Sequence, residues 1–348
     1  MAAYGLAMPK EADFHQNTEY YIVREVGKGA YSTVFLARQT KNPLPKVALK
    51  RITINPEVDI STVQKEYDIH KELTANAGHE NIVKMLGMMK DSEHYNFFME
   101  FADKGTVLDL IQKNGQPTGT VRRYFRQLIT GLEFMHNRGV THCDIKPLNL
   151  LLTKFEVLKI ADFGLSSKHI DADGNYTKIP GHIGTRQFAA PEVWTKEELD
   201  GPPTDIWSTG IVLVELLTGL RPWKTAIKKK SSSYLQWTKK ETNLEEAPWC
   251  MLDRRAIKLV TEILCPDPEK RFTITQIQSH DWYTNENESL ADRYESARKV
   301  WKRKQAEDET AASMPSCNPS TSQTTGNREE RKRQPDTQKR MGGAPSQT

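Results

Sequence analysis

The stretch His142-Cys143-Asp144-Ile145-Lys146-Pro147-Leu148-Asn149 constrains this chain more than any other. A stripe at helical spacing, Val121, Phe125, Leu128, Ile129, Leu132 and Met135, leads into it. Leu150-Leu151-Leu152 follows and reads as a short buried strand. Two buried elements this close hold the loop between them at a fixed edge, so a carboxylate, an ammonium and a carboxamide are presented from one ledge. Thirteen residues beyond Asn149 comes Asp162-Phe163-Gly164, a second carboxylate beside a residue free to turn. Taken singly, each of these is an ordinary turn residue. The information lies in their order and spacing.

The residues ahead of this ledge read as a small sheet. Residues 21–26 and 33–37 are strand-like and flank Gly27-Lys28-Gly29-Ala30-Tyr31-Ser32. Strand-turn-strand argues against a dinucleotide fold, which needs a helix after its glycines. Val47-Ala48-Leu49-Lys50 reads as a third strand. Residues 61–73 read as a helix capped at Ser61, with apolar positions Val63, Tyr67 and Leu73. Residues 81–87 and 95–101 read as two more strands that close an antiparallel sheet. Beyond Gly105 the period becomes helical. Asp205-Ile206-Trp207-Ser208-Thr209-Gly210 is expected to open a nearly all-apolar, buried helix.

Gross numbers bound the rest. The 348 residues can hold one two-lobed domain or two smaller ones. A net charge of +4 on 49 basic and 45 acidic residues does not suit a dedicated nucleic-acid binder. No apolar run approaches the ~18 residues of a membrane span, and no signal-peptide apolar region is evident. Cys143, Cys250, Cys265 and Cys317 lack metal-ligand spacing and read as reduced thiols of the cytosol or nucleus. From about residue 286 apolar residues thin out in favour of Ser, Thr, Gln and charge. The expected domains are a loose extension over 1–19, a domain over 20–284 with lobes 20–101 and 102–284, and a disordered polar tail over 285–348.

In order along the chain, the glycine pair, Lys50, Asp144-x-Lys146, Asn149, Asp162-Phe163-Gly164, Ala190-Pro191-Glu192 and Arg271 resemble the protein kinase family. The resemblance runs from residue 21 to about 283. It implies an α+β, bilobal fold with a small β-rich N-lobe and a larger, mainly helical C-lobe. It also implies transfer of phosphate from ATP with Mg to a protein hydroxyl. By this resemblance Asp144 orients the acceptor hydroxyl, while Asn149 and Asp162 offer oxygens to magnesium. Lys50 contacts the α/β-phosphates and pairs with a helix glutamate, Glu66, with Glu72 as the rival. Val26, Gly27, Lys28, Gly29, Ala30 and Val34 cover the nucleotide. Backbone groups of Glu100 and Ala102 hold adenine, and Met99 gates the pocket behind it. Lys146 and Thr185 mark the serine/threonine class, with Thr185 needed for substrate positioning. Arg271 pairs with Glu192.

A closer resemblance is to the checkpoint kinase 1 family. It is carried by Gly27-Lys28-Gly29-Ala30-Tyr31, residues 95–101, Gly210-Ile211-Val212-Leu213, Tyr234-Leu235-Gln236-Trp237 with Pro248-Trp249, and the run from Arg271 to Tyr283. It implies a monomer acting on Ser/Thr acceptors of protein substrates in DNA-damage and cell-cycle signalling, in nucleus and cytoplasm. Two other readings stay open: a weak or inactive kinase-fold scaffold, and a nucleic-acid-binding tail. Residues 326–348 hold six Lys or Arg against three Asp or Glu, too mild a charge for strong phosphate binding.

Several departures from the family pattern carry expectations. Ser32 replaces the third glycine, so the loop tip is less free. Cys143 stands where most relatives have an arginine that clamps a phosphate on the activation segment, so activity is expected not to depend on Thr177 phosphorylation. Thr106 and Leu148 stand where basophilic relatives carry acids, which predicts a weakened selection for Arg in substrates. Members of that family usually carry a longer C-terminal regulatory region than this one, so autoinhibition through such a domain is not expected. The tail instead holds Ser322-Gln323, Thr337-Gln338 and Ser346-Gln347, candidate sites for an upstream Ser/Thr-Gln-directed kinase. Arg331-Lys332-Arg333 is a candidate nuclear import signal.

Overall fold

Residues 47–52 show how alternation builds the upper layer. Val47 and Leu49 are buried on one face of the strand, with Ala37, Leu86 and Phe98. Ile52 is buried on the other face, with Val63, Met85, Tyr95 and Phe97. Lys50 shares the parity of Ile52 and so faces the same side. The computed structural model describes residues 20–29, 32–40, 46–76, 78–111 and 115–285. Over them β1 (Tyr20–Lys28), β2 (Ser32–Gln39), β3 (Lys46–Thr53), β4 (Met85–Lys90) and β5 (His94–Glu100) form an antiparallel sheet in the order β1-β2-β3-β5-β4. The glycine segment is the β1–β2 hairpin, with Gly27 opposite Val34.

Helix α1 (Ile60–Thr74) packs on this sheet through Val63 and Tyr67, while its Ile69 and Leu73 join the cluster that holds Ile82 and Phe163. Its cap is Asp59 and not Ser61. The Asp59 carboxylate accepts from the Ser61 amide at 2.9 Å and from the Ser61 hydroxyl at 2.6 Å, which draws Ser61 inside the first turn. The strand expected over 81–87 is also displaced. Residues 81–84 turn downward, Ile82 bridges Ile160 in parallel, and the edge strand begins at Met85. The hairpin that fixes its register is closed by the Asp91 side chain on the Glu93 and His94 amides.

The lower lobe is mainly helical. α2 (Thr118–His136) leads through β6 (Val140–Thr141) to the ledge, which is followed by β7 (Leu150–Leu152) and β8 (Leu158–Ile160). Short strands β9 (Ser167–Lys168), β10 (Ile179–Pro180) and β11 (Glu198–Leu199) frame the segment after Phe163. α3 (Gly201–Thr218) is buried almost throughout, as its all-round apolar sequence requires. It begins four residues before Asp205, so that carboxylate sits inside the helix rather than opening it. At Gly210 an added Cβ would lie 2.5 Å from the Ile263 side chain, so glycine sets the approach of α3 to α5 (Arg254–Ile263). α4 (Ser232–Lys239), α6 (Ile274–Ser279) and α7 (Asp281–Thr284) complete the lobe. The extension over 1–19 and the tail motifs lie outside the described residues.

Candidate active site

Glu66 lies on the buried stripe of α1, where a carboxylate needs a partner. Its partner is Lys50, with Nζ 2.6 Å from Glu66 Oε1 and 2.8 Å from Asp162 Oδ1. The choice of Glu66 over Glu72 follows from helix geometry. Glu72 falls on the outer face and pairs with Lys168 instead. Burial opposes the Lys50 charge, but the Glu66 and Asp162 carboxylates outweigh it and hold its pKa above the ordinary range. Burial pushes the Glu66 carboxyl upward against the pull of Lys50. Burial would raise Asp162 too, but Lys50 reverses the balance and holds it below the usual carboxylate range. Asp162 adopts a left-handed backbone, φ 66°, which an Asp tolerates better than most residues.

The ledge is a second network. Lys146 Nζ is 2.6 Å from Asp144 Oδ2 and 2.8 Å from Thr185 Oγ1. The Thr185 amide donates to Asp144 Oδ1 at 2.9 Å. Asn149 Nδ2 donates to the Asp144 carbonyl at 2.9 Å and to its carboxylate at 3.2 Å, leaving the amide oxygen outward. Beneath it, Asp205 accepts from the His142 amide at 2.8 Å and the Cys143 amide at 2.9 Å, and bonds the His136 ring at 2.9 Å. These bonds pin Cys143 at φ 67°, a costly conformation for a residue with a Cβ. Sequence reading assigned Asp205 no part in the site. A carboxylate in a helix whose only other acid is Glu215 was the signal that could have found it. The Cys143 thiol is raised well above its usual pKa by burial and by Asp205, so it is an unreactive packing group.

Above the ledge a cleft of about 490 Å³ is lined by Gly29, Ser32, Lys50, Glu66, Asp144 and Asp162, among others. The Gly29 amide bonds the Ser32 carbonyl at 2.7 Å across the hairpin tip. Gly27, Lys28 and Val34 pair in the strands behind it, and Val26 is exposed at the adjoining bulge. Ala30 lies outside the described residues. Glu100 ends the strand that leads to the lower lobe, and Ala102 lies two residues beyond it. The Glu100 side chain turns to Lys159 at 2.8 Å and the Lys84 amide at 3.2 Å, and its own amide donates to the Lys84 carbonyl at 2.9 Å, so neither is left for a ligand. Met99 packs with the Ile52, Val63 and Phe97 cluster. Phe163 is fully buried, its ring 4.3 Å from His70 and 5.4 Å from His142. His70 was not singled out from the sequence, where it passes for a surface histidine.

Glycine-hairpin sheet, helix-borne glutamate and a carboxylate ledge below a cleft define the architecture of a protein kinase. The protein kinase domain family matches residues 20–283, and the chain belongs to it. Among curated relatives it is 38% identical over 308 residues to the serine/threonine-protein kinase chk-1 of Caenorhabditis briggsae, covering 88% of this chain and 60% of that protein. It is 42% identical over 267 residues to chk-1 of Caenorhabditis elegans, covering 76% of this chain and 52% of that protein. The similarity to chk1 of Schizosaccharomyces pombe is 33% over 275 residues, covering 77% and 54%. The chain thus spans little more than half the length of the curated relatives it matches. Members of this family use ATP and magnesium and act on protein substrates.

Proposed function

We propose that the domain transfers the γ-phosphoryl group of ATP to Ser or Thr hydroxyls of proteins. The observation that carries this is Asp144, whose carboxylate is fixed by Lys146 and by the Thr185 amide at the mouth of the cleft. The site fits its cofactors. Asn149 and Asp162 present hard oxygens, and two protein ligands suit Mg, which keeps waters and phosphate oxygens in its shell. Bound there, ATP would supply the phosphoryl group and magnesium would neutralise its charge.

The protein's own part is to bind and orient. Lys50, held charged by Glu66 and Asp162, is a fixed cation for phosphate oxygens. Asp144 accepts the hydrogen of an incoming hydroxyl and aims it. Lys146, bridging Asp144 and Thr185, places a positive charge beside the acceptor, and Thr185 ties the substrate-facing segment to the ledge. Gly27, Lys28, Gly29 and Val34 roof the phosphates, and the Ala102 amide, without a partner in the chain among the described residues, is available to adenine.

Asp144→Asn tests this reading. Turnover of a Ser/Thr peptide should fall at least a hundredfold with nucleotide affinity within about threefold, because the orienting carboxylate is lost and the phosphate cradle is not. Unchanged turnover would remove Asp144 from its role. A native protein that binds nucleotide yet phosphorylates nothing would favour the scaffold reading.

The names of the relatives support a place in checkpoint signalling. We assign the protein to nucleus and cytoplasm, as a monomer, with its tail Ser/Thr-Gln sites as targets of an upstream kinase. Phosphate mapping after DNA damage tests the last point; empty sites at Ser322, Thr337 and Ser346 would end it.

A further inference from the structure

The twenty residues 221–240 hold seven Lys or Arg and no Asp or Glu, more positive charge than the +4 of the whole chain. Four of these, Lys224, Lys228, Lys229 and Lys230, lie on the loop between α3 and α4, all exposed. None makes an ion pair among the described residues. The loop is not loosely tethered. Trp223 before it and Tyr234 after it are buried, with rings 5.2 Å apart, and Trp223 also packs 5.7 Å from Trp207 and from Trp237. An aromatic base therefore carries the lysines outward as a fixed group.

The start of the loop is placed as well. Arg221, three residues before Lys224, lies 6.0 Å from the Phe188 ring. The Phe188 amide bonds the Thr185 carbonyl at 2.9 Å, and Thr185 is bonded to Lys146 and Asp144. The lysine loop thus starts, at Arg221, beside the segment that would meet the acceptor peptide. Of the acids that flank the stretch, Glu215 is buried and faces Arg221 at 3.4 Å, and Glu241 lies 3.8 Å from Lys239, so neither meets the four lysines. On the other side of the ledge the acids are committed as well. Asp103 accepts the Lys154 amide at 2.7 Å, and Asp109 caps the Thr106 amide at 2.7 Å. Leu148, on the ledge itself, is 53% exposed and carries no charge.

We propose that Lys224, Lys228, Lys229 and Lys230 form a docking surface for an acidic segment of the protein substrate, next to the residue to be phosphorylated. This rests on the kinase reading of the site. Each exposed ion pair changes affinity by roughly 1.4- to 5-fold, so three or four together predict about tenfold.

The experiment uses the full chain and three peptides that share one acceptor Ser. One carries a Glu block before the Ser, one carries it after, and one has Gln in those places. The native protein should use one of the acidic peptides about tenfold better in kcat/KM, and high salt should erase the difference. The variant Lys224→Gln, Lys228→Gln, Lys229→Gln, Lys230→Gln should lose the preference and keep its rate on the Gln peptide. Equal use of all three peptides by the native protein, or a preference that survives in the variant, overturns the proposal. Anisotropy of a labelled acidic peptide reads docking without turnover. Binding lost in the variant supports the surface, and no binding by the native protein overturns it. Docking with no phosphorylation of any peptide would sink the kinase reading and leave the surface standing. If the variant loses only its hold on phosphatidylserine vesicles or DNA, the surface serves a membrane or a nucleic acid and the proposal fails.

Discussion

Asp205 divides its carboxylate between two backbone amides and a histidine ring, and touches no group that would meet substrate. It acts through the ledge. Asp205→Ala leaves two buried amides unsatisfied, at a cost of roughly 2–6 kcal/mol, and frees Cys143 to leave its left-handed conformation. Urea unfolding should show that loss, and kcat should fall further than KM rises, because Asp144 is displaced and the nucleotide cradle is not. Leu148 and Thr106 bear on substrate choice. Neither can pair with a guanidinium bidentately, and the capping bond of Asp109 to Thr106 keeps that acid on its own backbone. A peptide array should show no more than a few-fold selection for Arg three residues before the acceptor. Strong Arg selection, unaltered by Asp103→Asn and Asp109→Asn, would contradict this.

Helix α1 meets the Asp162-Phe163-Gly164 turn through two side chains, Glu66 and His70. His70 is buried, lies 2.6 Å from the Val83 carbonyl and packs against Phe163 with the rings tilted by 35°. Burial pushes its pKa down from 6.5 to about 4. The unfolded chain therefore binds more protons between those values, so stability falls as pH drops through that window. For this residue alone the loss from pH 7 to pH 5 is about 2 kcal/mol. Urea midpoints of native protein and His70→Met at the two pH values should show the variant losing less by about that amount. The segment after Phe163 is held by backbone pairing: β10 against β11, the Gly181 amide on Glu197 and the His182 amide on Val193. No phosphate clamp is needed to order it. Thr177→Ala should keep kinase activity within about threefold in a peptide assay, as the cysteine at 143 led us to expect. Gly184, at φ 90°, leaves no room for a side chain, since a Cβ there would lie 2.5 Å from the Cys143 carbonyl. Gly184→Ala should cut activity at least tenfold by pushing Thr185 off Lys146.

Across the whole molecule one ion pair closes the lower lobe. Arg271 meets Glu192 through two bonds of 2.6 and 3.0 Å, donates to the Pro203 and Cys265 carbonyls, and lies 5.0 Å from the Trp207 ring. It is fully buried, so Arg271→Ala strands a carboxylate and should cost about 3–5 kcal/mol, read as a lowered urea midpoint. Sequence by itself determined four of the five strands of the upper sheet, the existence but not the start of the buried helix that holds Asp205, and the order of Lys50, Asp144, Asn149 and Asp162. Alternation, helical period and motif spacing are short-range, and each reads locally along the chain. Only the tertiary structure decided that Glu66 and not Glu72 meets Lys50, that Glu100 turns to Lys159, that Asp205 holds the ledge, and that Arg221, at the start of the lysine loop, adjoins Phe188. Each of those contacts joins segments that neighbour one another only once α1 sits on the sheet and α3 is buried, and no local pattern records which face of an element a distant partner will reach.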